Sequence, residues 1–371
     1  MFTTTIRTRR RPAARAAAAL AAAALALTAC STIGDNEETS ADSDSSAGTG
    51  GTPSGTVVLV THDSFAVDKK LLADFEAESG LTVQTRAPGD AGTLVNQLVL
   101  TKESPLGDAV FGIDNSFASR ALSADILQPY ASPETPPPAA ELAVDDSDRL
   151  TAVDYGDVCI NIDRTWFAER DVPEPQTLED LADPAYKDLL VVSNPATSSP
   201  GLAFLLATVD AFGTDGWLNY WAALRDNGVK VSDSWSDAYF VDFSGSQGKG
   251  PRPIVLSYAS SPPFEADPEA DEAPTRALLD TCFRQVEYAG VISGAENPEG
   301  AKVLIDFMLS TRFQETIPDQ MYMYPVSERA ELPTAWARFG PLADKPFEVS
   351  ADEIDANREE WIKQWTDTVV G

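Results

Sequence analysis

The chain has 371 residues with 27 Lys or Arg, 58 Asp or Glu and a single His, which gives a formal net charge of −31. A chain this acidic repels phosphate groups, so charge alone would not hold it to nucleic acid or to anionic lipid. About 43% of the residues are apolar, which is enough for a packed core, and the length allows two or three domains.

The first 29 residues have the pattern of a bacterial signal peptide. Five Arg between positions 7 and 15 form a positive segment, and the Ala/Leu run at 16–27 is too short to span a bilayer. The sequence LTAC that ends at Cys30 resembles a lipobox, which implies cleavage before Cys30 and lipid attachment to its thiol. The alternative is ordinary signal cleavage nearby with an incidental cysteine. We expect a lipoprotein at the outer face of the cell membrane, exported by the Sec or the twin-arginine route.

A polar tether is predicted between the lipid and the folded body. Residues 31–55 are mostly Ser, Gly, Thr, Asp and Glu, which bury too little apolar surface to offset the entropy of ordering. Residues 30–55 are therefore assigned to the lipidated Cys and a flexible linker. No later stretch approaches 18 consecutive apolar residues, so we expect no further membrane span.

The body begins with a β-α-β-α-β pattern, which predicts a parallel α/β sheet. Ligands of such sheets bind at the carboxyl ends of the strands, so the segments that follow the strands are candidates. These segments contain His62, Asp63, Ser64 and Asp114. The predicted elements are strands at 56–60, 81–85 and 108–113 and helices at 68–79 and 92–102.

A second α/β unit follows a Pro-rich, acidic loop at 129–148 and a long strand at 150–162. Its predicted elements are strands at 189–192, 229–231, 253–258 and 285–291, helices at 200–212, 215–224, 234–240 and 301–309, and a loop at 262–275. Extended strands near 154–160 and 284–291 connect the two units, which is the layout of a clamshell with a cleft. The predicted divisions are 56–155 with about 288–330 for lobe 1, 156–287 for lobe 2, and 331–371 for a C-terminal helical region.

An exported, two-lobed protein with a cleft favours a solute-binding protein, and a secreted hydrolase is the second interpretation. The sequence contains no G-x-S-x-G, H-E-x-x-H or phosphate-loop motif. His62 is the single His, and the adjacent Asp63 and Ser64 point in different directions at a strand end. We therefore expect no Ser-His-Asp triad and no enzyme.

Two cysteines lie in the body, Cys159 and Cys282, on the export side of the membrane where disulfides persist. We expect them to form a disulfide near the hinge, and the alternative is two buried free thiols. Two thiols and one His are too few for a zinc cluster, so we expect neither a metal nor another cofactor.

Nine short segments follow one another in the order THDSF (61–65), GIDN (112–115), VDYG (153–156), PATSSPGL (195–202), WSDAY (235–239), LSYASSP (256–262), QVE (285–287), IP (317–318) and MYPV (323–326). Together they resemble the thiamine-binding periplasmic proteins of bacterial ABC importers. The resemblance implies a two-lobed type II periplasmic-binding-protein fold with a hinge and a ligand cleft. It also implies thiamine or a thiamine phosphate as ligand and an ABC transporter permease as partner, and we expect a monomer.

The resemblance places aromatic side chains around the ligand. Thiamine combines a permanent thiazolium cation with an aminopyrimidine and a hydroxyethyl arm, and a flat cation is held well by aromatic faces. The aromatic candidates are Trp235, Tyr258, Phe264 and Tyr322. This chain has His62, Phe264 and Tyr322 where the family often has Tyr, Tyr and Trp, which preserves stacking but removes a hydroxyl at Phe264.

Acidic side chains complete the charge of the predicted site. Asp63 or Asp114 would supply negative charge and hydrogen bonds, unless they serve as helix-cap or turn residues. Glu287 lies on an apolar strand, where an unpaired charge is rarely buried, so we expect it to face the cleft. His62 is assigned to the cleft wall.

A hydroxyl-rich helix start is the predicted contact for the far end of the ligand. Ser198 and Ser199 precede Pro200, which is predicted as the first residue of a helix. Hydroxyls and free N–H groups there would form a cradle for the hydroxyethyl or phosphate end, and Gly201 would let the ligand approach the backbone. Simple helix capping is the alternative.

Two other solutes stay open at this point. Ferric iron would be held by tyrosines and a carboxylate, and Tyr322 and Tyr324 would share one face if their segment is a strand. A polyamine would use several acids together with aromatic rings, and both are abundant here. The remaining large aromatic residues on helical segments are assigned to packing, namely Trp217, Tyr220, Trp221, Trp361 and Trp365.

Overall fold

The computed structural model describes residues 54–267 and 269–371. The predicted signal peptide, the lipidated Cys30 and nearly all of the linker lie outside the described residues. Across those two described ranges, no helix combines the length and the hydropathy of a transmembrane segment. The same ranges contain no group of three or more Asp, Glu, His or Cys side chains arranged to hold a metal ion.

Ten strands of the described chain form one sheet, and its runs rich in Val, Ile and Leu belong to the strands of the two parallel groups. The strands are β1 Gly55–Thr61, β2 Leu81–Arg86, β3 Ala109–Asp114, β4 Leu127–Gln128, β5 Thr151–Asp163, β6 Leu190–Ser193, β7 Lys230–Ser232, β8 Ile254–Tyr258, β9 Thr275–Ile292 and β10 Tyr324–Pro325.

The sheet consists of two parallel groups joined by long antiparallel strands. Its order is β2-β1-β3-β9-β5-β8-β6-β7, with β4 beside β9 and β10 beside β5. β1 pairs in parallel with β2 and β3, and β6 pairs in parallel with β7 and β8. β5 and β9 run between the two groups, as the predicted connecting strands do. The predicted α/β class is confirmed.

Thirteen α-helical segments of the described chain accompany this sheet. They are α1 Lys69–Ser79, α2 Ala91–Leu100, α3 Ala118–Ser123, α4 Pro137–Glu141, α5 Arg164–Arg170, α6 Ser199–Asp226, α7 Trp235–Asp237, α8 Pro262–Glu265, α9 Pro298–Leu309, α10 Thr311–Gln314, α11 Ile317–Met321, α12 Thr334–Phe339 and α13 Ala351–Val369. The segments predicted as loops at 129–148 and 262–275 thus contain the short helices α4 and α8.

Local sequence signals set the ends of the helices. The Asp68 side chain accepts a hydrogen bond from the backbone N–H of Leu71 at 2.8 Å, and Gly80 ends the same helix with a φ of 74°. The two helices predicted at 200–212 and 215–224 form one element, α6, interrupted at Gly213 with a φ of 65°. α6 begins at Ser199, so Pro200 is its second residue rather than its first.

The large aromatic side chains assigned to packing lie on α6 and α13, and all five are buried. The rings of Trp221 and Trp365 meet edge to face at 5.5 Å. The indole N–H of Trp221 donates to Thr208 Oγ1 at 2.9 Å. Their assignment to the core is confirmed by burial of Trp217, Tyr220, Trp221, Trp361 and Trp365.

The carboxyl ends of both parallel groups open onto the middle of β5 and β9. Asp114 at the end of β3 pairs with Glu287 of β9, which pairs with Asp154 of β5. Tyr258 at the end of β8 pairs with Val158 of β5. Because residues 155–157 alone separate these two points on β5, one region receives the strand ends of both groups, and this is where an open α/β sheet binds its ligand.

Cys159 of β5 and Cys282 of β9 form a disulfide, with their Cα atoms 4.2 Å apart, which confirms the predicted pairing. The bond lies beside an irregularity of the ladder, where the partners of β5 change from Phe283 to Leu278 between Val158 and Ile160. It therefore ties the two long strands together at the point where they enter the second parallel group.

Candidate ligand-binding site

A small cavity of about 20 Å³ lies where the strand ends converge. It has room for about one water molecule, so a solute with rings requires the walls to separate. The cavity is lined by His62, Ser64, Asp90, Ala91, Ser199, Pro200, Trp235, Tyr258, Glu287, Met321 and Met323.

Three carboxyl groups form a row across the sheet at one side of this cavity. Asp114, Glu287 and Asp154 are direct partners on β3, β9 and β5, and directly opposite residues point to the same face. The side chains of Asp114 and Asp154 are completely buried, and that of Glu287 is nearly so. We refer to these three residues as the acid row.

Burial raises the pKa of two members of the acid row, Asp114 and Asp154. It raises the pKa of Asp114 to about 6, although hydrogen bonds from Ser116 and Ser199 act in the opposite direction. The backbone N–H of Ser116 donates to Asp114 Oδ1 at 2.6 Å, and the hydroxyl of Ser199 donates to Oδ2. Burial, reinforced by the neighbouring Glu287, raises the pKa of Asp154 well above its usual range.

His62 is the basic group that faces the acid row. Its Nε2 lies 3.3 Å from Oε2 of Glu287, and Oε1 of Glu287 accepts from Gln285 Nε2 at 2.9 Å. Burial lowers the pKa of His62, but the negative charges of Glu287, Asp90 and Asp63 raise it. The effect of these acids is the larger, so the pKa of His62 is raised overall. The site thus favours a positive charge beside Glu287.

Gly112 makes room for this histidine. Its φ of 93° lies in the region that favours glycine, at the irregularity of β3 between Phe111 and Ile113. A Cβ at this position would collide with the ring of His62. The backbone conformation and the ring packing therefore both require glycine here.

Gly112→Ala is expected to lower the free energy of unfolding by more than Gly80→Ala, which should cost about 1 kcal/mol. Gly80 has a similar positive φ of 74°, but open space surrounds its Cβ position, so it isolates backbone strain. Chemical denaturation followed by circular dichroism measures both losses. Equal losses would show that the His62 ring does not lie against β3.

A cluster of aromatic rings centred on Trp235 borders the cavity through Trp235 and Tyr258. Its ring stacks on Tyr239 at a centroid distance of 5.3 Å and meets Tyr258 at 5.9 Å and Tyr322 at 5.8 Å. Tyr322 is in turn stacked on Phe264 at 3.3 Å. We call these five residues the aromatic wall, and its rings present faces and edges of the kind that bind flat cations.

Residues that follow strands of the second parallel group donate hydrogen bonds to acidic side chains that lie at or after the ends of strands of the first group. The backbone N–H of Trp235 donates to Asp90 Oδ2 at 3.1 Å. Ser199, the first residue of α6, donates its hydroxyl to Asp114, where the helix N-terminus also favours a carboxylate. These contacts hold the two groups together at the cavity.

Comparison with known proteins places the chain in a family. A family model described as bacterial extracellular solute-binding protein matches residues 108–339. The chain belongs to this family. This solute-binding protein is 29% identical over 319 residues to the thiamine-binding periplasmic protein of Brucella suis, which covers 84% of this chain and 91% of the relative. The thiamine-binding periplasmic protein of Escherichia coli is 28% identical over 315 residues, which covers 83% and 92%.

A solved structure agrees with these relatives. The structure of a periplasmic thiamin binding protein matches with a TM-score of 0.74 at 26% identity, covering 86% of this chain and 99% of that chain. The resemblance indicated by the nine segments is thereby confirmed, as is the two-lobed type II periplasmic-binding-protein fold. The chain is an extracytoplasmic solute-binding protein, while the boundaries of its lobes stay a prediction.

Most of the predicted site residues of this solute-binding protein lie in one region, and their contact with a ligand stays a prediction. Asp114 reaches the cavity through Ser199, and Tyr322 reaches it through Trp235. Phe264 is one ring further away, on the other face of Tyr322. The predicted residues that line the cavity itself are His62, Ser64, Ser199, Trp235, Tyr258 and Glu287.

Two further predicted residues, besides Asp114, Tyr322 and Phe264, do not line the cavity. Asp63 is exposed, and its backbone N–H donates to the carbonyl of Gly89 at 3.0 Å. Ser198 is completely buried ahead of α6, beside the carboxyl group of Asp90. Asp63 thus raises the pKa of His62 through its charge, and Ser198 opposes the effect of burial on the pKa of Asp90.

The role expected for Gly201 is wrong. A Cβ at Gly201 would lie 2.6 Å from the backbone of Ser193 and Asn194. The glycine is therefore needed for the close packing of α6 against the end of β6, and its free face does not meet the cavity.

The expectation that Tyr322 and Tyr324 share one face of a strand is also wrong. Tyr322 has a φ of 62° at the end of α11, so the backbone is not extended there. Its ring stacks on Phe264, while the hydroxyl of Tyr324 donates to the carbonyl of Gly340. The two phenols diverge, which removes the basis for the ferric-iron interpretation.

Sequence reasoning missed four residues of the site. Asp90 follows the predicted strand at 81–85, and the residues after strands are candidates for ligand contact. The sequence analysis nevertheless assigned no binding role to Asp90. Asp154 belongs to the VDYG segment, yet its position opposite Glu287 depends on strand register. Met321 and Met323 line the cavity with flexible apolar side chains. Met323 begins the MYPV segment, but its residue type alone did not distinguish it from a core residue.

A larger cavity, of about 600 Å³, lies at the start of β9 and is lined in part by Arg164, Arg276 and Glu272. Arg164 pairs with Glu272 at 3.0 Å, and Arg276 pairs with Glu174 at 2.8 Å. Because its charges compensate one another and no strand ends of the parallel groups reach it, we assign the solute to the smaller, central cavity.

Proposed function

We propose that this solute-binding protein captures thiamine, free or as a phosphate ester, outside the cytoplasm and delivers it to the permease of an ABC importer. The observation that carries the proposal is the juxtaposition of the aromatic wall around Trp235 with the buried Glu287 in one central cavity. The similarity to the thiamine-binding periplasmic proteins of Brucella suis and Escherichia coli supports the choice of thiamine.

The chemistry of the walls suits each part of this ligand. The thiazolium ring is a permanent, flat cation, which an aromatic face attracts by about 0.5–2 kcal/mol. The acid row supplies the negative charge that a buried cation needs. Ser199, together with the N-terminus of α6, offers a hydroxyl and N–H groups to the hydroxyethyl or phosphate end.

The proposal extends to the N-terminal part of the chain. A lipid on Cys30 would hold the monomeric protein at the outer face of the cell membrane, and the polar linker would let it reach the permease. The protein would carry out no catalysis, because capture and release need no covalent step.

Mass spectrometry of ligand extracted from the purified, denatured protein tests the proposal, together with isothermal titration calorimetry. We expect thiamine or its monophosphate in the extract, and saturable binding of one molecule per chain after dialysis. Spermidine and ferric citrate serve as the comparison solutes for the polyamine and iron interpretations. Tighter binding of either one than of thiamine and its phosphates would overturn the proposal.

A further inference from the structure

Asp154 is a completely buried carboxyl group without a donor. Neither of its oxygens receives a hydrogen bond from any group in the described part of the chain. Burying an ionised carboxylate in this way is costly. The group within hydrogen-bond reach is the carboxyl of Glu287, its direct partner across β5 and β9. Two carboxyl groups can bond to one another only when one of them carries a proton.

Asp157, three residues further along β5, shows how the same strand accommodates a buried carboxylate by giving it donors. It is as completely buried as Asp154. Arg284 donates to both of its oxygens, with an Nη2 to Oδ2 distance of 3.2 Å, and the backbone N–H of Ala343 donates to Oδ2 at 2.7 Å. Asp154 receives none of these donors, so a proton held between it and Glu287 is what satisfies the Asp154 carboxyl group.

The surroundings of the pair are predominantly acidic. Glu287 has acids on both cross-strand sides, and His62 at 3.3 Å is the basic group next to it. The acids around Glu287 outnumber His62, so a cation that enters beside Glu287 would meet net negative charge. The titratable and charged groups that face the pair and its row are His62 after β1, Asp63 beside it, Asp90 at α2, Asp114 of β3, Tyr258 of β8 and Arg358 of α13.

We propose that Asp154 and Glu287 share one proton in the unliganded protein and release it to the solvent when a cationic ligand occupies the cleft. This inference rests on the proposed function, because thiamine brings the permanent positive charge. The cation stabilises the ionised form of the pair, so the carboxyl O–H bond breaks, the proton passes to water or buffer, and both carboxylates remain as counterions. The exchange keeps the buried charge almost constant. In the pH range where binding releases one proton, the affinity for the cation rises by up to about tenfold for each pH unit.

Calorimetry in two buffers of different ionisation enthalpy tests the exchange. Thiamine is titrated at about pH 7 into the protein in phosphate and in Tris, and the difference in observed enthalpy gives the number of protons released. We expect about one proton for the parent protein and close to none for Asp154→Asn. The amide keeps the shape of the protonated acid, so that variant should fold, bind thiamine more weakly and lose most of the pH dependence. Glu287→Gln provides the same measurement if Asp154→Asn does not fold.

Two further variants identify the source of the proton. Asp237→Asn removes the same charge from an exposed position near Trp235 and should leave the proton count unchanged. His62→Gln should also still release about one proton. Loss of release in His62→Gln with retention in Asp154→Asn would overturn the inference in favour of the histidine. Thiamine binding without proton release would overturn the exchange alone, whereas the absence of any binding would contradict the proposed function on which it rests.

Discussion

Replacing Trp235 by Ala is expected to weaken thiamine binding about 10- to 100-fold. Trp235 contacts three other rings of the aromatic wall, at centroid distances of 5.3, 5.8 and 5.9 Å. Its indole N–H donates to Ser257 Oγ at 2.9 Å, which fixes the orientation of the ring. The substitution removes a desolvated aromatic face that a cation would use. Titration calorimetry of the parent and the variant measures the change in Kd.

Trp166→Ala is the matched control for this experiment. Trp166 is a half-buried tryptophan of α5 that lies under the guanidinium of Arg170 at 4.5 Å and does not line the cavity. Its replacement should leave the Kd unchanged, and thermal unfolding confirms that both variants are folded. An unchanged Kd in Trp235→Ala would mean that thiamine does not use the aromatic wall.

The elements that sequence analysis predicted well are those with a local cause. The helix of α1 begins where Asp68 can cap it and ends at Gly80, and both signals are visible in the sequence. The β-α-β-α-β order at the start of the body predicts parallel pairing, which β1, β2 and β3 show. Because open α/β sheets bind ligands at the carboxyl ends of their strands, the sequence alone predicted that His62 and Asp114 belong to the site.

The parts that sequence analysis could not supply depend on register and on close packing. The acid row exists because Asp154, Glu287 and Asp114 are opposite one another on three strands that are distant in sequence, and a shift of one residue would move each to the other face. Tyr322 takes a positive φ that its residue type does not favour, so the sequence does not show that the backbone departs from an extended conformation there. Such conformations are imposed by the surrounding structure.

Removing the cross-link between Cys159 and Cys282 is expected to lower the free energy of unfolding by about 4–5 kcal/mol. The bond joins residues 123 positions apart, so it excludes many extended conformations of the unfolded chain. For a folded body of this size, the loss corresponds to a fall in Tm of about 5–10 °C. Urea denaturation of the Cys159→Ala/Cys282→Ala double variant measures it, in protein lacking residues 1–30 so that Cys30 cannot interfere.

The reduced parent protein is the matched control, because it keeps both buried side chains and lacks only the bond. The chain-entropy account requires the reduced parent and the double variant to lose similar stability, since each has the same unconstrained unfolded chain. A much larger loss in the variant would instead assign the effect to packing around the irregularity of β5 and β9, where both cysteines are buried. A loss below about 1 kcal/mol in both proteins, or two free thiols in the denatured parent before reduction, would contradict the prediction.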